Sequence, residues 1–412
     1  MNYKIVKRSE KRFATVYNSS WKIQSYGDEN LYPQRMADLI ACSPTGSTCC
    51  ERYRTFIEGN GMLSEDVAYY ICNRMGDSID DIFRQVAHDV AYFKGFALHV
   101  NYNLEGKITE IQHIPFQMCR LAEEDDLGRV PFIKVHPDWE GRKTRNGKTI
   151  NVNAKNIRAY YPFNPNKKVV LAQMIEDGGI EQYRGQILWV SLDGRYLYPR
   201  PIYDKVVTEL SVDEGLSNVK YRNVRNNFLV AGMLIHKKGA TVGLDDDGNE
   251  VLQDNEDDDF EESLKQFQGD INACSLMEVS VNQEEDIPQF KSLEGVNFDK
   301  KFQTTESSTE ERIFSAFGQE PWFCIRKGKT GFSGEILRQT YEYYNSYVDN
   351  ERRVITRTFQ RIFANWHENL KDMDFTIQPL VYQYNYSNGN LDPQQKENAT
   401  TGTFDNGGSA SW

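Results

Sequence analysis

Side-chain patterns that would support catalysis or metal binding are missing from this sequence or incomplete. The six histidines show no HxxxH spacing and no pairing with cysteine, which a zinc site would need. No GxSxG nucleophile motif is present. The acidic run before Gly248 fails as a calcium loop, because a glycine at loop position six would place Gly243 at position one. We therefore predict no metal site, no cofactor and no catalytic residues.

Gly328-Lys329-Thr330 comes nearest to a nucleotide site. It resembles the end of a phosphate-binding loop, but the full pattern needs a glycine where this chain has Phe323. No apolar strand leads directly into the segment. A soluble nucleotide-dependent enzyme that uses residues 323–334 remains an alternative function, as does a monomeric binding module.

Composition indicates a globular protein with more than one packed module. The chain has 412 residues, of which 39% are hydrophobic and 12% aromatic, so it can bury large cores. Its seven cysteines form no CxxC motif and are expected to be reduced thiols. The longest apolar run, 228–235, is far shorter than the ~20 residues of a membrane span. With a charged N-terminus that lacks the apolar stretch of a signal peptide, we expect synthesis in the cytoplasm and no membrane partner.

The negative charge is concentrated in one segment. The formal net charge is −12, yet residues 241–290 alone carry −15, with sixteen acidic residues against Lys265, so the other 362 residues sum to +3. This segment can be interpreted as a solvated hairpin and helix, or as a surface that repels a polyanion. A protein that grips nucleic acid by its phosphates is normally basic, so a tight DNA-binding role is disfavoured.

Periodicity predicts alternating helices and strands. In the N-terminal half we expect helices at 34–41 and 45–58, ending at the Gly59-Asn60-Gly61 cap, helical spacing over 64–94, a hairpin at 97–102 and 108–114, and short strands over 128–194, the clearest at 187–190. In the C-terminal half we expect a helix from Pro201 to about 226, a strand at 228–236, an acidic turn at 244–252, a helix at 257–268, a strand at 276–281 and a helix ending near Phe317. A last helix, 333–369, would span roughly 55 Å, and a polar tail follows at 384–412.

Four stretches in this order are similar to a known family. They are YGDENLYP at 26–33 with the later Gly59-Asn60-Gly61, the helix and hairpin of 81–115, the helix and strand of 199–235, and IFSAFGQEP at 313–321, where the family usually has one apolar residue in place of Gln319-Glu320. Together they resemble the portal proteins of tailed bacteriophages, of the long-tailed-phage type, over about residues 26–370.

The resemblance implies an α+β portal fold with an α/β wing, a helical stem, a small β-containing clip, a long C-terminal helix and a short or absent crown. The implied units are an N-terminal arm (1–25), the wing (26–135 and 228–332, with a tunnel loop near 282–298), the clip (136–195), the stem helix (196–227), the long helix (333–370) and a polar, disordered tail (371–412).

The resemblance also implies function and location. Portal proteins form a ring, here of about twelve copies, at one capsid vertex, through which double-stranded DNA is packaged and ejected. The implied partners are the terminase large subunit, the head-tail adaptor, the major capsid protein and DNA that passes without sequence readout. The implied location is the virion, with host cytoplasm during assembly.

Two groups of candidate site residues follow. We expect Glu284, Glu285 and Asp286 to line the DNA channel in a loop at 282–288 and to keep DNA off the wall by repulsion; the turn at 245–250 is the alternative. In the clip, we expect exposed aromatic side chains to contact the motor or adaptor: Trp139, Tyr160, Tyr161 and Trp189. The alternative is that these aromatic residues fill a small β core.

Overall fold

The structure is a computed structural model that describes most of the chain. The described residues are 17–27, 29–141, 144–145, 148–149, 152–153, 155–194, 197–225, 232–237, 243–244, 250–251, 276–281, 298–331, 333–370 and 373–382. The expected helix at 257–268 lies outside them, as do residues 1–16 and 383–412.

The described helices carry most of the body of the molecule. They are α1 (Tyr32–Cys42), α2 (Pro44–Glu58), α3 (Glu65–Ala68), α4 (Ile79–Phe93), α5 (Lys167–Glu176), α6 (Val207–Arg225), α7 (Phe298–Ala316), α8 (Glu320–Arg326) and α9 (Gly334–Phe363). None of these helices is long and apolar enough to cross a membrane.

The described strands are short, apart from one hairpin. They are β1 (Tyr17–Asn18), β2 (Ile23–Gln24), β3 (Gly95–Tyr102), β4 (Ile108–Ile114), β5 (Cys119–Leu121), β6 (Ile133–Val135), β7 (Thr144–Arg145), β8 (Lys148–Thr149), β9 (Arg158–Pro162), β10 (Gln186–Ser191), β11 (Gly232–Lys237), β12 (Gly243–Leu244), β13 (Glu250–Val251) and β14 (Leu276–Val281). Helices and sheets thus combine in one chain, and the α+β expectation is confirmed.

A six-stranded sheet forms the second layer of the body. Its order is β4-β3-β10-β9-β6-β5, and β9 and β10 are its parallel pair. The expected hairpin is confirmed as β3 and β4, which are joined through Gly106 at φ 71°. Strands on both sides of residue 136 pair within this sheet, so residues 136–195 contribute to the same sheet as the preceding segment.

The main core lies between α2, α4, α9 and one face of the sheet. The stripe expected on the long helix is buried there, including Tyr344, Val348, Ile355 and Phe359, each at 0% exposure. The helix ends at Phe363, not near 369, because the next residues pair with β4: Ile108 N donates to Asn365 O at 2.9 Å. At 1.5 Å per residue the observed helix is about 45 Å long.

The expected helical spacing over 64–94 is interrupted. A turn at 73–76 separates α3 from α4, and Ser78 starts α4 with a capping box in which Ser78 and Asp81 satisfy each other's backbone N–H groups. Helix α5 replaces one of the short strands expected between 128 and 194, with Asn166 as its N-cap.

Residues 373–382, in the segment after residue 371, pack on the core. Phe375 and Ile377 are 1% and 5% exposed, and Ile377 bridges to Met62. The expectation of a disordered tail from 371 is therefore wrong for residues 373–382, since two apolar side chains dock this segment on the core.

Candidate functional site

Helix α6 leaves the body of the molecule at its C-terminal end. A 3₁₀ turn (Ile202–Val206) leads into it, and Leu210 in its first half is fully buried. In its second half, the side chains described at 216–218 and 220–221 are mostly exposed, with Tyr221 at 60% exposure. The helix expected from Pro201 to about 226 is thus confirmed, although it starts as 3₁₀.

Asp213 anchors α6 to the N-terminus of α2. Its Oδ2 accepts hydrogen bonds from Ser43 Oγ at 2.6 Å and from the Thr45 backbone N–H at 3.0 Å. Its Oδ1 accepts from Thr45 Oγ1 at 3.1 Å. A carboxylate at a helix N-terminus is favoured by the helix dipole, so this contact fixes the direction in which α6 leaves the body.

Helix α7 returns along α6. Its C-terminal half is buried at Ile313 and Phe314, whereas its described N-terminal residues are more exposed. The Nζ of Lys220 in α6 lies 2.6 Å from Glu306 Oε1, and Glu209 Oε1 lies 2.9 Å from Arg312 Nη1. This register is antiparallel, so α6 and α7 form an outgoing and returning pair, and residues 226–297 connect their far ends.

The connecting segment contains a parallel strand pair. Strands β11 and β14 pair in register, so Lys237 lies beside Val281 and the chain leaves both strands at the same end. Segment 282–288 follows directly on β14, whereas segment 245–250 comes after β12, in the connection to β13. The acidic turn expected at 244–252 is closed by the pairing of β12 with β13.

The candidate channel residues themselves lie outside the described part of the chain. Glu284, Glu285 and Asp286 follow directly on β14, after Asn282 and Gln283. Their assignment to a channel-lining loop stays a prediction.

Trp139 is internal, and the expectation that it is exposed is wrong. It is 5% exposed, and its indole Nε1 donates to Met118 O at 2.8 Å. The Arg120 guanidinium lies 5.1 Å from its ring centroid. Burial is favourable because the indole N–H has a partner and the ring faces a cation.

Tyr160 and Tyr161 face opposite sides of the sheet, as adjacent strand residues do. Both are half-buried: Tyr160 lies edge-on to His99 at 5.2 Å, and the Tyr161 hydroxyl donates to Asp177 Oδ1 at 3.1 Å. Burial and the bond to Asp177 raise the pKa of Tyr161 to about 12. One surface therefore does not present both rings.

Trp189 is half-buried at the edge of an open groove. Its ring stacks on Phe116 with the centroids 4.3 Å apart. The groove has a volume of about 460 Å³ and is lined by the sheet and by Arg361 of α9. The packing of Trp139 and Trp189 favours the alternative in which these aromatic residues fill a β core, while a partner-binding role for the group stays a prediction.

Gln319, where the sequence departs from the family pattern, is a fully buried junction. Its side-chain amide donates to Cys49 O and to the Tyr344 hydroxyl, each at 2.8 Å. Arg52 Nη1 donates to its Oε1 at 2.8 Å. These contacts tie the α7–α8 turn to α2 and α9, and the polar residue is stable there because its bonding capacity is filled.

The segment resembling a phosphate-binding loop has a different context here. It follows α8 rather than a strand, and the Lys329 Nζ lies 5.4 Å from the Phe323 ring centroid. Within the described ranges, no group of three or more histidine, cysteine or acidic residues could hold a metal ion. The geometry of this loop does not favour the enzyme alternative, since a phosphate loop requires a strand feeding a helix N-terminus.

Comparison with known proteins gives structural relatives of low identity. No protein-family model and no curated protein matches the chain. The chain is similar to a chain of the neck of a native gene transfer agent particle computed with C12 symmetry (12% identity, 82% of each chain covered, TM-score 0.42). It is also similar to a chain of the native gene transfer agent virion (12% identity, 84% and 83% covered, TM-score 0.39) and to an HK97-family phage portal protein from Corynebacterium diphtheriae (9% identity, 68% and 75% covered, TM-score 0.29).

Proposed function

We propose that this chain is a portal protein. Copies of it form a closed ring at one capsid vertex, and double-stranded DNA is packaged and ejected through the ring. The terminase large subunit and then the head-tail adaptor dock on it, and the major capsid protein surrounds it. The protein has a structural role without catalysis.

The helix pair α6–α7 is the observation that carries this proposal. The two helices run antiparallel, and Tyr221 in the second half of α6 is 60% exposed. A helix with exposed apolar surface is stabilised when neighbouring copies cover it, as in a closed ring. The four stretches that resemble portal proteins support the same assignment, with α6 as the stem.

The mass of the purified protein tests this proposal. We expect size-exclusion chromatography with light scattering to give a monodisperse species near twelve times 47.7 kDa. Asp213→Ala, which removes the bonds from α6 to α2, should reduce the ring fraction, whereas Asp66→Ala, at an exposed position of α3, should not. A monodisperse monomer at high protein concentration would contradict the ring and favour a monomeric binding module.

Charge reversal tests the channel assignment of the acidic loop. Because Glu284, Glu285 and Asp286 would repeat around the ring, we expect their triple replacement by Lys to attract DNA phosphates and stall passage at low salt. Assembly should be unchanged, and packaging should recover partly as the salt concentration rises, since salt screens the attraction. The matched variant reverses Asp245, Asp246 and Asp247 in the alternative turn.

The two variants separate the alternatives by packaging assays in vitro. A stall only in the second variant would move the channel loop to 245–250. Packaging that is unaffected by either reversal would mean that neither acidic segment lies against DNA.

A further inference from the structure

A groove of about 380 Å³ lies between the second half of α9 and the docked segment 373–382. Three arginine side chains line it, together with Thr356 and one carboxylate: Arg352, Arg353, Arg357 and Asp349. Positive charge therefore predominates in this groove.

Arg352 is a buried cation whose hydrogen-bond acceptors are neutral groups. It is 7% exposed, and its Nη2 donates to the Phe56 carbonyl and, at 2.9 Å, to Asn345 Oδ1. Its Nε has no hydrogen-bond partner in the described structure. Burial lowers the pKa of Arg352 to about 10, so it remains protonated at neutral pH. An anion in the groove would offset the cost of burying this charge.

The exposed arginine residues follow one face of α9. Arg353, Arg357 and Arg361 are four residues apart, which places them on successive turns at steps of about 6 Å. Arg353 is paired with Asp349 at 2.9 Å, and Arg361 lies 5.0 Å from the Phe163 ring centroid. Among the described residues, no hydrogen bond or ion pair engages the exposed guanidinium of Arg357. A row of this kind suits a repeating polyanion better than a single small anion.

We propose that this arginine groove binds the phosphodiester backbone of double-stranded DNA. Guanidinium groups donate two parallel hydrogen bonds to a phosphate, and within the groove Arg353 and Arg357 supply them at two points about 6 Å apart along the helix. Arg361 extends the row beyond the groove. The choice of DNA as occupant rests on the proposed function, in which the protein handles duplex DNA. The contact is a salt-screened one to phosphates, weaker than the tight grip that a net charge of −12 disfavours. The groove would hold DNA without reading its sequence, because its contacts are to phosphates.

Arg357→Gln tests the groove in the full-length protein. The measurement is fluorescence anisotropy of a labelled 30-base-pair duplex titrated with protein between 50 and 300 mM NaCl. We expect the variant to bind roughly fivefold more weakly at 50 mM salt. The slope of log affinity against log salt should fall by about one for each groove in contact with the duplex.

Two variants on the same helix serve as controls. Arg338→Gln removes a guanidinium that is 56% exposed and paired with Glu335, outside the groove, and should leave DNA affinity unchanged. Asp349→Asn removes the carboxylate that competes with DNA and should strengthen binding. Equal affinities for Arg357→Gln and Arg338→Gln would overturn the proposal. So would inorganic phosphate at low millimolar concentration displacing the duplex completely, because that marks a small-anion site.

Light scattering on every variant separates this proposal from the portal assignment. If the ring forms and Arg357→Gln binds DNA normally, the groove assignment is wrong and the portal assignment is unaffected. If no ring forms but Arg357→Gln still weakens DNA binding relative to Arg338→Gln, the groove assignment is supported and the portal assignment is not. If Arg357→Gln instead disrupts the ring and leaves DNA affinity unchanged, the groove holds a neighbouring copy and the proposal is overturned.

Discussion

Gly59→Ala is expected to lower the free energy of unfolding by about 4 kcal/mol, from backbone strain and a steric clash together. Gly59 ends α2 with φ 61° and ψ −141°, a conformation nearly restricted to glycine. A Cβ atom there would lie 2.2 Å from the Gln378 carbonyl oxygen. This carbonyl accepts a hydrogen bond from Asn60 N at 2.8 Å, so the clash would also displace the docked segment 373–382.

Urea unfolding followed by circular dichroism measures this loss. The control is Gly76→Ala, since Gly76 has φ 91° but a Cβ added there would meet no atom within 4 Å. Gly76→Ala should therefore show backbone strain alone, about 1–2 kcal/mol. Equal losses in the two variants would mean that the contact with Gln378 is not rigid.

Regular elements could be predicted because their signals are local. The stripe on α9 recurs with helical period, and the hairpin of β3 and β4 combines strand alternation with a glycine turn. Helix α5 was not predicted, because its apolar residues Val169, Val170 and Leu171 are consecutive and fit a buried strand equally well. Local patterns do not decide between these alternatives.

Tertiary relationships were less accessible from the sequence. The antiparallel pairing of α6 with α7 joins residues about a hundred positions apart, and no local sequence pattern predicts such a pairing. The sequence shows that residues 241–290 carry most of the negative charge. The side of the molecule on which that charge lies depends on the pairing of α6 with α7. The burial of Trp139 could not be predicted, because the residues that cover its side chain are brought to it only by the tertiary fold.

Arg120→Met is expected to lower the free energy of unfolding by about 3 kcal/mol, because it leaves buried carbonyl groups without donors. Arg120 is 0% exposed, and burial lowers its pKa to about 10. Its Nε donates to Asn30 Oδ1 and its Nη2 to Asn30 O, both at 2.6 Å. Its Nη1 donates to Cys119 O at 2.7 Å and to Gln117 O at 2.9 Å. One side chain thus ties the segment before α1 to β5.

Methionine is the informative replacement, because it fills a similar volume without charge. Removing a buried cation also removes its desolvation cost, which acts against the loss of hydrogen bonds. We expect the hydrogen bonds to dominate, since Asn30 has φ 61° and depends on Arg120 for two of its contacts. Trp139 packs against the same guanidinium, so its fluorescence should shift in the variant if it is internal, as the structure has it.

Arg74→Met is the control, because Arg74 is 71% exposed in its pair with Glu110 and should change stability little. Unchanged or increased stability in Arg120→Met would mean that the desolvation cost of the cation outweighs its five hydrogen bonds, which include one from Nη2 to Gln34 Oε1 at 3.2 Å.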